Sequence, residues 1–306
     1  MANSVETMSA PRSALPNVYT SVTAREIDFV TRFSNNWEAL REILGIMRPI
    51  KKTAGTQLIS YTASVELEDG DIDAGCVIPY SKATVVQATK ADLDIEKYAK
   101  AVPIEDVAKY GAEVAVQKTD EAFLNELQSK VMDSFYTFLA DDDSAITGTE
   151  TTFQMAVAMA IGDVKDKFKR MRKNASEVVV FVNTLDAYRY LGAAEITVQS
   201  SFGIDYIKNF MGASTFILSS EIDEGKVIAV PADNIVLYYI DPADSSFAQL
   251  GLDYTVDGET NLIGFHANGN YSTAVGESFA LMGMVLWAEY ADAIAILTVD
   301  ANPSNG

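Results

Sequence analysis

Histidine and cysteine are almost missing: His266 and Cys76 are the only ones in 306 residues. A single cysteine excludes an intrachain disulfide, and such usage predicts a chain made and kept in a reducing cytoplasm. A Ser/His/Asp or Cys/His nucleophilic site would have to use His266, which sits in the glycine- and asparagine-rich stretch GFHANGNYS. A zinc site on Cys76 and His266 would need carboxylates for its remaining ligands. There is no GxGxxG, and the one Gly-Lys pair, Gly225-Lys226, is followed by valine and lacks the upstream glycine of a phosphate loop. No catalytic, cofactor-binding or metal-ligating residue is assigned.

Positive charge is also scarce. Lys and Arg number 23 against 43 Asp and Glu, a formal charge of −20. An acidic surface of that size favours solubility and repels phosphate backbones, which argues against dedicated nucleic-acid binding. Long hydrophobic runs are lacking too. FALMGMVLWA (279–288) is about half the ~20 residues a membrane helix needs, and MANSVETMSAPRSALP lacks the apolar stretch of a signal peptide. What is present is enough apolar sequence, 48%, for one large core or two modest ones.

Two charge clusters stand out. ELEDGDID (66–73) places Asp69, Asp71 and Asp73 at alternate positions, as a calcium loop does. The EF-hand pattern then wants glycine where Ala74 stands and glutamate where Tyr80 stands, so a solvated hairpin tip is the better account. KDKFKRMRK (165–173) carries six cations in nine residues. They can complement the carboxyl end of a helix, or form a docking surface for an acidic patch of another subunit, such as 66–73 or 141–143.

Along the chain, the first twenty residues read as an arm. Thr23–Glu26 and Asn35–Glu38 each fit a capping box, which predicts two helices, the second with Trp37, Leu40, Ile43 and Leu44 on one face. In QLISYTASVEL, Ile59, Tyr61, Ala63, Val65 and Leu67 alternate with mostly polar residues, a strand of period two. EDGD (68–71) offers a turn, and AGCVIPYSKATVVQAT can return as its partner. Such a ribbon is marginal in isolation and is expected to lie on something else. KYAKAVPIEDVAKYG (97–111) passes from strand to helix at Val102-Pro103, because the residue before proline is pushed to extended geometry and proline suits a first helical turn. The helix then runs over about 112–140, roughly 40 Å, and stops before Asp141–Asp143. Beyond it, a helix bearing Phe153, Val157, Ile161, Val164, Phe168 and Met171 precedes a buried strand EVVVFVN and a helix opening at Thr184. ASTFILSS, KVIAVPA and NIVLYYI read as strands, and 278–299 as one or two long core strands.

The order of these parts resembles the major capsid proteins of tailed bacteriophages, the Hong Kong 97-type fold. KYAKAVPIEDVAKYG and the helix after it are similar to the start of that family's spine helix. EVVVFVNTLDAYRYLG and MGASTFILSSEIDEGKVIAVPADNIVLYYID resemble passages of its A-domain, and FALMGMVLWAEYADAIAIL its closing strand. The resemblance implies an α+β chain with an N-terminal arm and short helices over 1–50 and an E-loop hairpin over 51–95. It further implies a P-domain over 96–150 and 276–306, containing the spine helix, and an A-domain over 151–275.

It also implies a non-enzymatic subunit without cofactors. Its hexamers and pentamers would tile an icosahedral head around double-stranded DNA, in a virion assembled in the bacterial cytoplasm. Partners would be the chain itself, a separate scaffolding protein, a portal protein and a decoration protein, with packaged DNA held nonspecifically and no membrane. The expected inter-subunit contact residues are Trp37, Tyr61, Glu68, Asp69, Asp71, Lys169 and Arg170, and the expected contact segments are the arm 1–36, the ribbon 51–95 and the basic cluster 165–173. The alternatives are an encapsulin-type cellular compartment of the same fold and an acidic α/β enzyme whose carboxylates do acid/base work.

Overall fold

A computed structural model of the chain describes residues 18–45, 49–66, 68, 80–140, 145–175, 177–192, 197–201, 204–244, 247, 249 and 251–300. The chain opens with helix α1 (Val18–Leu44), followed by β1 (Ile50–Lys51), β2 (Thr56–Glu66), β3 (Lys82–Leu93) and β4 (Glu96–Pro103). Next come α2 (Ile104–Tyr110), a π-helical stretch (Glu113–Lys118), α3 (Thr119–Leu139), β5 (Ile146–Glu150), α4 (Phe153–Arg170), β6 (Val178–Asn183) and α5 (Thr184–Leu191). The remainder is β7 (Gln199–Ser201), β8 (Ile204–Phe210), β9 (Ala213–Ser219), β10 (Lys226–Pro231), β11 (Ile235–Tyr239), β12 (Ile263–Asn270), β13 (Val275–Met282), β14 (Met284–Ala288) and β15 (Ala295–Val299).

The centre is a seven-stranded mixed sheet in the order β5-β15-β10-β6-β9-β8-β7. All six residues of β6 are buried, which a strand shows when both faces of its sheet are covered. Val179 and Phe181 point to one side, into a core built with α1 and α3, where Phe135 and Tyr136 meet Phe181 edge-on. Val178, Val180 and Val182 point to the other, against Ala156, Val157, Ala160, Ile161 and Val164 of α4. Those α4 residues recur every three or four positions, and the Thr152 hydroxyl caps the helix by accepting the Met155 N–H at 3.2 Å. β5 and β15, expected in the P-domain, hydrogen-bond into this sheet, which therefore crosses the expected boundaries at 150/151 and 275/276.

Two expectations about secondary structure are corrected. The predicted pair of N-terminal helices is one continuous helix, α1, beginning inside the expected arm. Neither capping box breaks it, because Phe29, Val30, Phe33, Trp37, Leu40 and Leu44 form one unbroken buried stripe. The closing segment is three strands in three sheets. β13 pairs with β4 and β12, β14 with β11, and β15 with β10 and β5. The chain changes sheets at Gly283, where a Cβ would stand 2.6 Å from Ile240 Cδ1 and 2.9 Å from the Asp94 carbonyl oxygen.

The passage from β4 into helix follows the sequence closely. Pro103 is extended (φ −66°, ψ 148°) and stands at the amino-terminal cap of α2. The helix does not run on uninterrupted. Gly111, at φ +83°, ends α2, a conformation that only glycine adopts without strain. Helix resumes at Ala112, passes through the π-helical stretch and becomes α3.

Candidate assembly surfaces

The described residues hold no cluster of three or more His, Cys, Asp or Glu suited to a metal, and none of their helices is long and apolar enough to cross a membrane. Three surfaces are of interest instead, on a body whose first helix is fixed by a polar clasp.

The clasp fixes α1. Asp120, at the start of α3, has a side chain only 3% exposed. It accepts hydrogen bonds from Arg25 Nε (2.5 Å) and Nη2 (2.7 Å) of α1, and from Lys100 Nζ of β4. Arg25 also donates to Ser278 of β13 at 2.8 Å, and Lys100 to Thr119 at 2.9 Å. Burial alone would raise the Asp120 pKa, but hydrogen bonds from the two cations outweigh it and hold the carboxyl below 3.8. Burial depresses Lys100 more than Asp120 raises it. The next residue, Glu26, accepts from the Ala267 N–H (2.6 Å) and the Thr255 hydroxyl (2.8 Å) and lies 3.3 Å from His266 Nδ1. Farther along, Ser34 donates to Asp257 at 2.6 Å. His266 is thus a partner of a structural carboxylate. Spacing hid the clasp: an aspartate in a first helical turn ordinarily serves the helix dipole, and nothing local marks Asp120 as buried.

The first surface is the β2–β3 ribbon. Its register runs from Thr56↔Leu93 to Glu66↔Lys82, with one irregularity between Ser60 and Tyr61. The root is anchored: Leu58 and Leu93 are buried with Tyr238, Ile240 and Trp287. The far end is not, since Val65, Glu66, Glu68, Tyr80 and Ser81–Val85 are exposed. The second surface surrounds α2, which buries none of its residues. Ile104, Tyr110, Val114 and Tyr271 are exposed there, beside an apolar groove of about 360 Å³ lined by Val102, Val107, Val116 and Val275. Sequence reasoning missed this surface, because amphipathic period alone does not say which apolar residues stay uncovered. The third is the carboxyl end of α4, with exposed Lys165, Lys169 and Arg172.

The expected contact residues fall unevenly on these surfaces. Glu68 is exposed, its N–H donating to the Ser81 hydroxyl at 3.3 Å. Tyr61 lies in β2 opposite Gln87, just past the register irregularity. Lys169 is exposed and Arg170 pairs with Asp166 at 2.7 Å, both in the last turn of α4. Asp69, Asp71, Cys76 and Asp141–Asp143 lie outside the described residues. Trp37 is corrected: it is 0% exposed, packed in the main core of its own chain, and offers no surface to a neighbour.

Comparison with solved structures was decisive for the fold. The capsid protein of cyanophage A-1(L) superposes with a TM-score of 0.55 at 12% identity, over 86% of this chain and 93% of that one. This chain has the Hong Kong 97-type capsid fold. A virus-like particle from Pyrococcus furiosus (14% identity, 88% and 97% covered, TM-score 0.48) and a structure from Mycobacterium phage Che8 (13%, 78% and 84%, 0.47) are also similar. The fold assignment rests on the cyanophage superposition. No protein family's sequence profile matches the chain, and no curated protein matches it in sequence.

Proposed function

We propose that this chain is a non-enzymatic shell subunit whose hexamers and pentamers tile an icosahedral phage head around double-stranded DNA. The observation that carries the reading is the ribbon. A two-stranded hairpin with both faces uncovered at its far end is marginal by itself, and within a Hong Kong 97-type fold a neighbouring copy is the natural cover. The exposed apolar residues around α2 are a second surface of the kind that assembly buries.

In this reading 96–150 and 276–306 form the P-domain and 151–275 the A-domain, except that β5 and β15 join the seven-stranded sheet and β12 pairs with β13. The acidic balance keeps packaged DNA from adhering to the wall. A scaffolding protein, a portal and a decoration protein are the partners such a head would use, and the chain would act in the virion after assembly in the host cytoplasm.

The test is light scattering coupled to size exclusion on the purified protein, followed by negative-stain microscopy of any heavy fraction. Capsomers or closed shells are the expected result. Nuclease-protected DNA in particles from the native source would distinguish a phage head from a cellular compartment filled with cargo protein. A chain that stays monomeric with crowding agents and a scaffolding protein would overturn the shell reading and return attention to the enzyme alternative.

A further inference from the structure

The basic end of α4 is larger than a helix terminus requires. Lys167, Lys169 and Arg170 fill the last turn, where cations complement the dipole. Lys165 stands before that turn, and Arg172 and Lys173 follow the helix. Three of the six are satisfied inside the chain. Lys167 pairs with Asp292 at 2.9 Å, Arg170 with Asp166 at 2.7 Å, and Lys173 meets the Tyr290 hydroxyl and ring. Lys165, Lys169 and Arg172 are exposed, and among the described residues none has an ion pair.

The backbone presents Arg172 deliberately. The Lys173 N–H donates to the Phe168 carbonyl at 2.9 Å and the Arg172 N–H to the Lys169 carbonyl at 2.9 Å, closing a Schellman motif. Its left-handed position, φ +57°, is the one glycine usually takes, yet an arginine stands there.

The opposite charge lies at the far end of the ribbon. Glu66 and Glu68 are exposed, and among the described residues neither has an ion pair. From Glu66 to Lys82 the sequence carries five acids (Glu66, Glu68, Asp69, Asp71, Asp73) and one base. Among the described residues, Lys165, Lys169 and Arg172 on one side and Glu66 and Glu68 on the other thus have no ion-pair partner within the chain.

We propose that the far end of the β2–β3 ribbon of a second copy docks on the carboxyl end of α4, with Glu66 and Glu68 facing Lys165, Lys169 and Arg172. This rests on the shell reading and names the partner of its basic surface. The contact is heterologous, because each copy offers its ribbon to one neighbour and its α4 end to another. A heterologous contact whose rotation closes builds a ring, as a capsomer requires.

Charge exchange tests it. One variant carries Lys165→Glu, Lys169→Glu and Arg172→Glu, the second Glu66→Lys and Glu68→Lys, and the third combines all five. Sedimentation velocity at low salt reads the association. Each partial variant should associate at least about tenfold more weakly than wild type, as lost charge complementarity predicts. The five-fold variant, and an equimolar mixture of the two partial ones, should recover most of the loss. Arg172→Gly keeps the left-handed backbone while removing the charge, so weaker association from that variant, with an unchanged thermal melt, supports a surface effect. Unchanged assembly on reversal at α4, or a loss that the ribbon exchange does not rescue, overturns the docking and assigns the basic end to another partner such as nucleic acid or a scaffolding protein. Wild type that never associates removes the shell reading itself, a result distinct from assembly insensitive to these charges.

Discussion

The seven-stranded sheet and the two-stranded ribbon use similar residues to different ends. β6 is VVVFVN and the middle of β3 is TVVQAT, both rich in β-branched residues. In β6 every side chain is buried, since α4 covers one face of the sheet and α1 with α3 the other. In the ribbon Leu58 and Leu93 at the root are buried against the body, whereas Val65 and Val85 near its end are 59% and 65% exposed. Burial of a Val or Phe side chain contributes about 1.5–3 kcal/mol, and the sheet collects that contribution within one chain. Val65 and Val85 do not collect it within this chain. The body is therefore covered within one chain, and in the proposed shell the end of the ribbon would be covered by a neighbour.

The largest effect expected from breaking that contrast lies in the body, at Asp120. Asp120→Ala leaves Arg25 and Lys100 facing one another without the carboxylate between them. Removing one partner of a buried ion pair costs about 3–5 kcal/mol, which a urea titration would read directly. The same group predicts a pH dependence. Its folded pKa lies below 3.8, so the unfolded chain binds the proton first. The stability contributed by the carboxylate is fully present above the unfolded value and is lost as pH falls through the depressed folded one. Stability of the wild type should fall more steeply between about pH 5 and pH 2 than that of Asp120→Asn, measured as urea midpoints. Parallel curves would show that Asp120 does not act as the charged centre of the clasp.

A smaller effect is expected where the body turns from one sheet to the next. Gly283→Val puts a Cβ within 2.6 Å of Ile240 and 2.9 Å of the Asp94 carbonyl, and overpacking of that kind costs about 1–3 kcal/mol. Gly269, in β12, has nothing within 4 Å of the equivalent position, so Gly269→Ala should shift stability by no more than about 0.5 kcal/mol. Thermal melts of the pair would check whether the crossing at Gly283 is as tight as the geometry requires.

Much of this architecture was legible in the residues. Period two marked β2, a continuous apolar run marked β6, and the Val102-Pro103 junction marked the change from β4 to α2. These signals are local, so sequence carries them. What was not legible depends on tertiary contact. The two capping boxes in α1 are real sequence patterns, but a stripe from Phe29 to Leu44 packed on the sheet holds the helix through both. Trp37 reads as a candidate contact only until its core partners are known. The clasp joins residues 25, 100, 120 and 278, separations at which single-sequence pattern has no purchase. The candidate surfaces divide the same way: the acidic ribbon end and the basic end of α4 show as composition, whereas the uncovered apolar residues around α2 emerge only from the packing.

The smallest effect on the lone chain, and the sharpest separation of the two regions, is expected at the ribbon. Val65→Ser with Val85→Ser removes two exposed methyl-bearing side chains that belong to none of the buried clusters. Surface changes of this kind alter monomer stability by roughly 0.5 kcal/mol or less. If a neighbour covers the ribbon, the same pair removes apolar area from an interface, and assembly should weaken while the monomer melt stays put. Hydrogen exchange gives the independent measure. Amides of 61–66 and 82–87 should exchange quickly in the monomer and slowly in the assembled particle, while those of β6 are slow in both. Ribbon amides already as slow as β6 in the monomer would mean that the hairpin is stable without a partner, and the difference between the two regions would then lie in exposure alone.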